Sequence, residues 1–192
     1  LAGVSAGLTQ GAEARKIAIV SFVGKVMELA AELEEIEAQI ALKCREIPRA
    51  DSILEIHGLG AATVSGILAE MGDIDRFDAA KEIQKLSGLG LVACSSGKHQ
   101  GQTKISHRGR KRLRYWLFQG ALSVVSHNEA FRQIHAYYTT RAENPLKKMQ
   151  SITVIACKLL RIIFTILKKG VRFDPDKMLS DITHPAPLDA AA

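Results

Sequence analysis

The residues from Lys98 to Arg114 form a dense cluster of positively charged groups. They include seven Lys or Arg and two His, and no acidic side chain. Unpaired charges are costly to bury, so this stretch is expected on a surface, where its sign suits phosphate. We interpret it as a nucleic-acid surface rather than a solvated helix face. The candidate phosphate-binding side chains are Lys98, Lys104, Arg108, Arg110, Lys111, Arg112 and Arg114.

Two serines, Ser95 and Ser96, lie in a turn of small residues directly before the basic stretch. A serine in a turn is usually a turn former or a helix cap. A hydroxyl that attacks a phosphodiester, however, needs fixed cations to stabilise the transition state, and the neighbouring Lys and Arg residues are suited to that role. No base is identifiable from spacing: His99 and His107 are candidates by proximity, and Cys94 is a rival nucleophile that is also suited to packing.

A second phosphate-binding candidate is the turn Gly58-Leu59-Gly60, between two short apolar segments. This is the helix-hairpin-helix pattern. Two glycines let the backbone turn tightly, and the amides of the turn and of the next helix start point at a phosphate. Such a contact holds nucleic acid without reading its sequence. The alternative is a turn that only packs two helices together.

Three acids, Asp73, Asp75 and Asp78, suggest a metal site at first sight. Their spacing does not match an EF-hand, and they lie where one helix ends and the next begins. We interpret Asp78 as the N-cap of a helix over 79–87 and predict no metal site in this chain.

The elements that position these residues are predicted to be mainly α-helical. Between residues 13 and 48 apolar side chains recur with a mean spacing close to the coiled-coil period, and Pro48 ends the helix. A coiled coil is favoured over a helix that lies on its own domain. The predicted organisation is a flexible segment at 1–12, a coiled-coil helix at 13–48, a compact helical domain with the helix-hairpin-helix element at 50–175, and a loose tail at 176–192.

Composition limits the class of protein. The chain has 192 residues, of which 47% are hydrophobic, and a formal net charge of +6, which favours a folded domain with an anionic partner. Three cysteines without a CxxC pair indicate neither a disulfide framework nor a zinc site, and fit a reducing cytosol. The most apolar run, residues 152–167, contains Lys158 and Arg161 and is predicted not to span a membrane.

The ordered set of motifs resembles the C-terminal transposase domain of the insertion-sequence-110 family over roughly residues 50–175. The helix at 13–48 resembles the linker that precedes that domain. One departure is Leu91-Val92, where relatives commonly have Pro and a basic residue. The motifs that carry the resemblance are Ile53–Gly72, Asp75–Phe77, Leu86–Leu89, Ser95–Gly97, Lys104–Gly109, Leu113-Arg114 and Gly170–Asp174.

The resemblance implies a prokaryotic, nucleoid-associated DNA recombinase that a structured guide (bridge) RNA directs. It implies that Ser96 is the nucleophile and forms a covalent phosphoserine link to DNA. It also implies an N-terminal RuvC-like domain whose four acids bind Mg²⁺. The coiled coil itself predicts a homo-oligomer, either a dimer or a tetramer. This sequence contains no match to the RuvC-like domain and starts with Leu, so we expect a fragment that is inactive alone.

Two other classes of protein remain open from the residues themselves. The first is a helix-hairpin-helix scaffold that binds nucleic acid without catalysis, for which Ser96 is dispensable. The second is a coiled-coil interaction protein whose basic face binds an acidic partner. Nucleic-acid binding would be distinguished from the latter by a steep dependence on salt.

Overall fold

The structure is a computed structural model that describes residues 11–92, 105–180 and 182, and the backbone of residues 95–96, 99–100 and 104. The predicted mainly-α fold class is confirmed, since helices dominate the described residues. A 3₁₀ turn at Ile74–Arg76 lies between α3 and α4. The helices are α1 (Ala12–Arg45), α2 (Ala50–Leu54), α3 (Ala61–Met71), α4 (Ala80–Leu86), α5 (Lys111–His127), α6 (Glu129–Thr140), α7 (Lys148–Lys169) and α8 (Pro175–Ser180).

Four two-residue strands interrupt the helices between α4 and α5. They pair in two antiparallel ladders, β1 with β4 and β2 with β3. The sequence analysis predicted a turn here and no strands. The strands are β1 (Leu91–Val92), β2 (Ser95–Ser96), β3 (His99–Gln100) and β4 (Lys104–Ile105).

The chain divides into two compact units after Ile40. The helix α1, Ala12–Arg45, begins within one residue of the predicted helix at 13–48 and ends three residues before it. Every residue from 11 to 39 is exposed in the single chain. Its apolar stripe is exposed as well, at 52–66% for Ile19, Val23, Val26, Leu33 and Ile36. Apolar stripes at coiled-coil spacing are suited to pairing with another helix. The coiled coil itself stays a prediction.

The second unit, Ala41–Ala192, is built around α7. Ile155, Leu159 and Ile163 recur every four residues and are fully buried, which is the single apolar face expected of a packed helix. This face packs mainly against α5, with α6 and α4 beside it. By length and composition α7 is apolar enough to cross a membrane despite Lys158 and Arg161, but half of its most apolar window is buried in the domain, as in a core helix.

Small residues let α3, α5 and α7 approach one another closely. A Cβ atom on Gly66 of α3 would lie 2.5 Å from Cδ2 of Trp116 on α5, so the indole packs directly over the α3 backbone. A Cβ atom on Gly120 would lie 3.1 Å from Leu159 of α7. These contacts fix α5, and therefore its basic first turn, against the core.

The C-terminal end of α7 matches the predicted stop at Gly170, which has a φ of +65°, as a C-terminal glycine cap requires. The predicted loose tail differs from the structure over residues 176–180, which form α8. Asp174 Oδ1 accepts a hydrogen bond from the Lys177 amide at 3.0 Å, and Met178 is buried. The rest of that tail, apart from residue 182, and residues 1–10 lie outside the described residues.

Candidate nucleic-acid interface

The four strands form a nested hairpin, residues 91–105, which we call the serine hairpin. In its inner ladder the Cα partners are Ser95 with Gln100 and Ser96 with His99. Directly opposed residues of an antiparallel pair have Cα atoms about 4.5–5.5 Å apart. The register therefore brings the backbone of His99, one of the two candidate bases, next to that of the candidate nucleophile. Lys98 and Cys94 lie outside the described residues, and for Ser96 and Lys104 only the backbone is described.

The base of the serine hairpin is fastened to the end of α4 by backbone hydrogen bonds. The Ser106 amide donates to the Gly90 carbonyl at 2.8 Å, and the His107 amide donates to the Gly88 carbonyl at 3.0 Å. The Arg110 amide donates to the Leu86 carbonyl at 2.6 Å. These bonds hold the hairpin base and the first turn of α5 on one rigid support.

Two glycines make this backbone crossing possible. Gly88 and Gly109 both have positive φ, of +72° and +145°. A Cβ atom on Gly109 would lie 2.7 Å from the Gly88 nitrogen, and one on Gly88 would lie 2.9 Å from the Arg108 carbonyl oxygen. The two backbones and the Arg114 guanidinium fill the space between the segments, so a side chain at either position must push them apart.

Arg110 and Arg114, both predicted to bind phosphate, make hydrogen bonds inside the protein. Arg110 Nη1 donates to the Glu70 carbonyl at 2.5 Å, at the end of α3. Arg114 Nη1 donates to the Ser87 carbonyl at 2.9 Å, at the end of α4. Cations at helix C-termini are stabilising because they meet unpaired carbonyls and the negative end of the dipole. Both arginines therefore have a positioning role, while their phosphate-binding role stays a prediction.

Among the described side chains of this stretch, Arg108, Lys111 and Arg112 face solvent, and so does Arg110 despite its bond to the Glu70 carbonyl. Arg112 is 85% exposed and has a weak contact of 3.8 Å with Glu70. Tyr115, one turn further along α5, is 54% exposed, so its ring lies on the surface and not in the core. We call Arg108, Lys111, Arg112 and Tyr115 the basic helix start.

The electrostatics of α5 argue that the basic helix start serves a ligand. The first turn of α5 contains no acid, and its N-cap, Arg110, makes no capping hydrogen bond through its side chain. Positive charge at a helix N-terminus opposes the helix dipole, which costs up to about 1 kcal/mol per charge. These cations therefore do not stabilise their own helix. Binding of an anion to both the cations and the unpaired amides explains their position better than helix stability does.

The predicted Gly58-Leu59-Gly60 contact lies at the other end of α5. Gly58 has a φ of +100°, and a Cβ atom there would lie 3.0 Å from the Val124 Cα. Leu59 is buried, whereas Gly60 is exposed, with nothing within 4 Å of its would-be Cβ. Gly58 and Leu59 thus have a packing role, and the phosphate contact stays a prediction. The rise of 1.5 Å per residue separates this turn from the basic helix start by about 20 Å.

The acids at 73–78 have structural partners. Asp73 Oδ1 accepts from the Asp75 amide at 2.9 Å, and Asp75 Oδ1 accepts from Lys168 Nζ at 3.2 Å. The prediction of Asp78 as an N-cap is wrong: the N-cap of α4 is Ala79, and Asp78 contributes its amide, which donates to Glu82. Among the described residues, no group of three or more His, Cys, Asp or Glu is placed to hold a metal ion.

Comparisons with known proteins link this helical unit to DNA transposition. Residues 50–138 match the family model described as Transposase IS116/IS110/IS902 family. An uncharacterized 42 kDa protein of insertion element IS900 from Mycobacterium paratuberculosis is 24% identical over 186 residues, which are 96% of this chain and 43% of that protein. The pilin gene-inverting protein of Moraxella bovis is 32% identical over 129 residues, 66% of this chain and 39% of that protein.

A probable family 20 transposase of Pseudomonas aeruginosa is 33% identical over 105 residues, 51% of this chain and 31% of that protein. The chain spans less than half the length of each of these relatives. The matched segment contains the Gly58-Leu59-Gly60 turn, the serine hairpin and the basic helix start. Through residues 50–138 the chain belongs to the IS116/IS110/IS902 family of transposases.

Proposed function

We propose that this chain supplies the serine nucleophile of a DNA recombinase, and that Ser96 attacks the DNA backbone. The observation that supports the proposal most directly is the shared support at the end of α4. The base of the serine hairpin and the first turn of α5 are both hydrogen-bonded to it. The base of the hairpin that carries Ser96 and a helix start rich in exposed cations are therefore held on one support.

The proposed reaction is a transesterification. The Ser96 oxygen attacks phosphorus, a new phosphoserine ester forms, and the bond to one deoxyribose oxygen breaks. The serine proton passes to a base, and the departing oxygen takes up a proton to leave as a hydroxyl. One ester replaces another, so rejoining to a new DNA end needs no ATP. Exposed cations beside the phosphate stabilise the charge of the transition state.

Of the two candidate bases, we favour His99 over His107. His99 is the Cα partner of Ser96 in the inner ladder. His107 lies at the base of the serine hairpin, where its amide is bonded to Gly88 and its φ is +54°. A base must be within hydrogen-bond reach of the proton it removes, and the register supports His99 for this role.

We also propose that the Mg²⁺-binding acids of the reaction come from a RuvC-like domain, in the same protein or another chain. The described residues of this chain do not fit such a site, because Asp73 and Asp75 are occupied with a cap and an ion pair. A structured guide RNA, self-association into dimers or tetramers through the exposed stripe of α1, and a nucleoid location belong to the same proposal.

The chemical step is tested by trapping the covalent intermediate. A protein that joins this chain to a RuvC-like domain is incubated with a plasmid carrying the element that encodes it, together with the element's RNA. Denaturation with SDS stops the reaction. The proposal predicts protein–DNA complexes that survive SDS and disappear after protease treatment. Strand breaks without attached protein would contradict it.

DNA binding by the basic helix start is tested by Lys111→Gln with Arg112→Gln. Loss of two phosphate contacts is expected to weaken duplex binding about tenfold at about 0.1 M salt, and to reduce the log–log salt slope by about 1.8. Fluorescence anisotropy across a salt series measures both. The matched control is Lys16→Gln with Lys25→Gln on α1, which removes the same charge. If the control lost as much duplex affinity, the effect would come from the net charge of the protein and not from contacts at the basic helix start.

A further inference from the structure

A second basic groove runs along the outer side of α7, bordered by the chain from Val171 to Met178. Its volume is about 580 Å³, within the range of about 300–1,000 Å³ that is usual for ligand-binding pockets. No residue of the basic helix start lines it. The proposed serine chemistry leaves this groove without a role.

The groove is strongly cationic. Among the described residues that line it, the single acid is Asp174, whose carboxylate accepts a hydrogen bond from the Lys177 amide at 3.0 Å. Arg172 has only a weak, exposed contact of 3.8 Å with Glu55. Opposite charges at that exposure contribute little to stability. The cations of the lining are Lys158, Arg161, Lys169, Arg172 and Lys177.

Stabilisation of α7 by cations near its C-terminus explains some of these positive charges but not all of them. Lys169 lies in the last turn of α7, where the helix dipole favours a cation. Arg161 lies two turns earlier, beyond the reach of that effect, and it is exposed. Burial raises the pKa of the Cys157 thiol, and the nearby positive charge of Arg161 acts in the opposite direction. The thiol therefore offers Arg161 no counter-charge at neutral pH.

The floor of the groove is apolar and partly aromatic. Tyr138, Ile162 and Phe173 line it and are half-buried. A DNA duplex presents phosphates and sugars on its outside, so it would match the cations and leave this floor unused. Unpaired bases present ring faces that stack on aromatic side chains while their phosphates meet the cations. Cations above an apolar, aromatic floor thus fit a single strand better than a duplex.

We propose that this groove binds single-stranded DNA. The choice of DNA rests on the proposed recombination function, in which cleaved strands leave one duplex to join another. The groove gives a separated strand a place on the domain that does not compete with the duplex at the basic helix start. None of the described residues of the serine hairpin lines it.

Thr165 provides the sharpest test, because it lines the groove between Arg161 and Lys169. Its hydroxyl bonds only to the Arg161 carbonyl of its own helix, so replacement is compatible with the fold. Thr165→Glu places a negative charge among the cations, and Thr165→Gln places the same shape without the charge. With the full 192-residue chain, Thr165→Glu is expected to weaken binding of a labelled 12-nucleotide DNA strand about tenfold, and Thr165→Gln less than about twofold.

A second variant tests the cations directly. Arg161→Gln with Lys169→Gln is expected to reduce the salt slope for single-stranded DNA by about 1.4, at about 0.7 per phosphate, and to leave duplex affinity unchanged. Lys16→Gln with Lys25→Gln is the charge-matched control, and melting curves confirm that each variant is folded.

Three outcomes would overturn the inference. They are unchanged single-strand binding in both groove variants, an equal loss for duplex DNA, or a loss confined to an RNA strand of the same length. Failure of the proposed function would be seen in different experiments. Those experiments are duplex binding by the Lys111→Gln, Arg112→Gln variant and trapping of the covalent complex, and neither depends on the groove.

Discussion

Ser96→Ala is expected to abolish the covalent protein–DNA complex and recombination, a loss of at least about a thousandfold. Alanine lacks the oxygen that must form the phosphoserine ester, so no other change in the site restores the step. DNA affinity is expected to stay within about twofold of the original protein, because the cations of the basic helix start remain. The SDS-resistant complex and an anisotropy titration, measured on the same preparations, separate chemistry from binding.

Neighbouring substitutions give the controls for that experiment. Ser95→Ala and Cys94→Ala remove the adjacent hydroxyl and thiol, and both are expected to keep the covalent complex. His99→Ala is expected to slow its formation more than His107→Ala does, as the strand register suggests. A non-catalytic scaffold makes the opposite prediction, since Ser96→Ala would then be harmless to function.

Gly109→Ala is expected to cause the largest loss of stability. The added methyl group would lie 2.7 Å from the Gly88 nitrogen, and alanine would have to adopt a φ of +145°. Backbone strain of about 1–3 kcal/mol and overpacking of about 1–3 kcal/mol combine to about 4 kcal/mol. For a unit of this size the melting temperature should fall by roughly 8–16 °C, measured by circular dichroism.

Gly90→Ala is the matched control, two residues beyond Gly88 on the same loop. A methyl group at Gly90 meets only Lys85, at an ordinary contact distance of 3.8 Å, so little change in the melting temperature is expected. If Gly109→Ala had the same melting temperature as the original protein, the close backbone crossing between the end of α4 and the loop before α5 would be wrong. The anchoring of the serine hairpin would then lose its support.

The long helices were predictable because their sequences carry strong local signals. Apolar residues at helical spacing predict helices where α5, α6 and α7 lie, and a glycine directly after such a pattern predicts the helix ends at Gly72 and Gly170. The start of α8 also carried a signal that the prediction of a loose tail missed. Asp174 followed by Pro175 is an N-cap followed by the proline favoured at the first helical position.

The serine hairpin was not predictable in the same way. Each strand has two residues, too few for an alternating pattern, and the pairing depends on partners that are up to 14 residues away. Likewise, sequence periodicity did not separate Arg110 and Arg114, which bond to the ends of α3 and α4, from Arg112, which has a weak contact of 3.8 Å with Glu70. That division depends on tertiary contacts, and it changes which arginines are the best targets for mutation.

The central claim is tested most directly by locating the DNA attachment in the trapped complex. After digestion of both the DNA and the protein, mass spectrometry identifies the peptide that carries a nucleotide through a phosphate ester. The account predicts a single modified residue, Ser96, in the β2 strand of the serine hairpin. Attachment at Ser95, at Cys94 or at any residue outside 91–105 would contradict it.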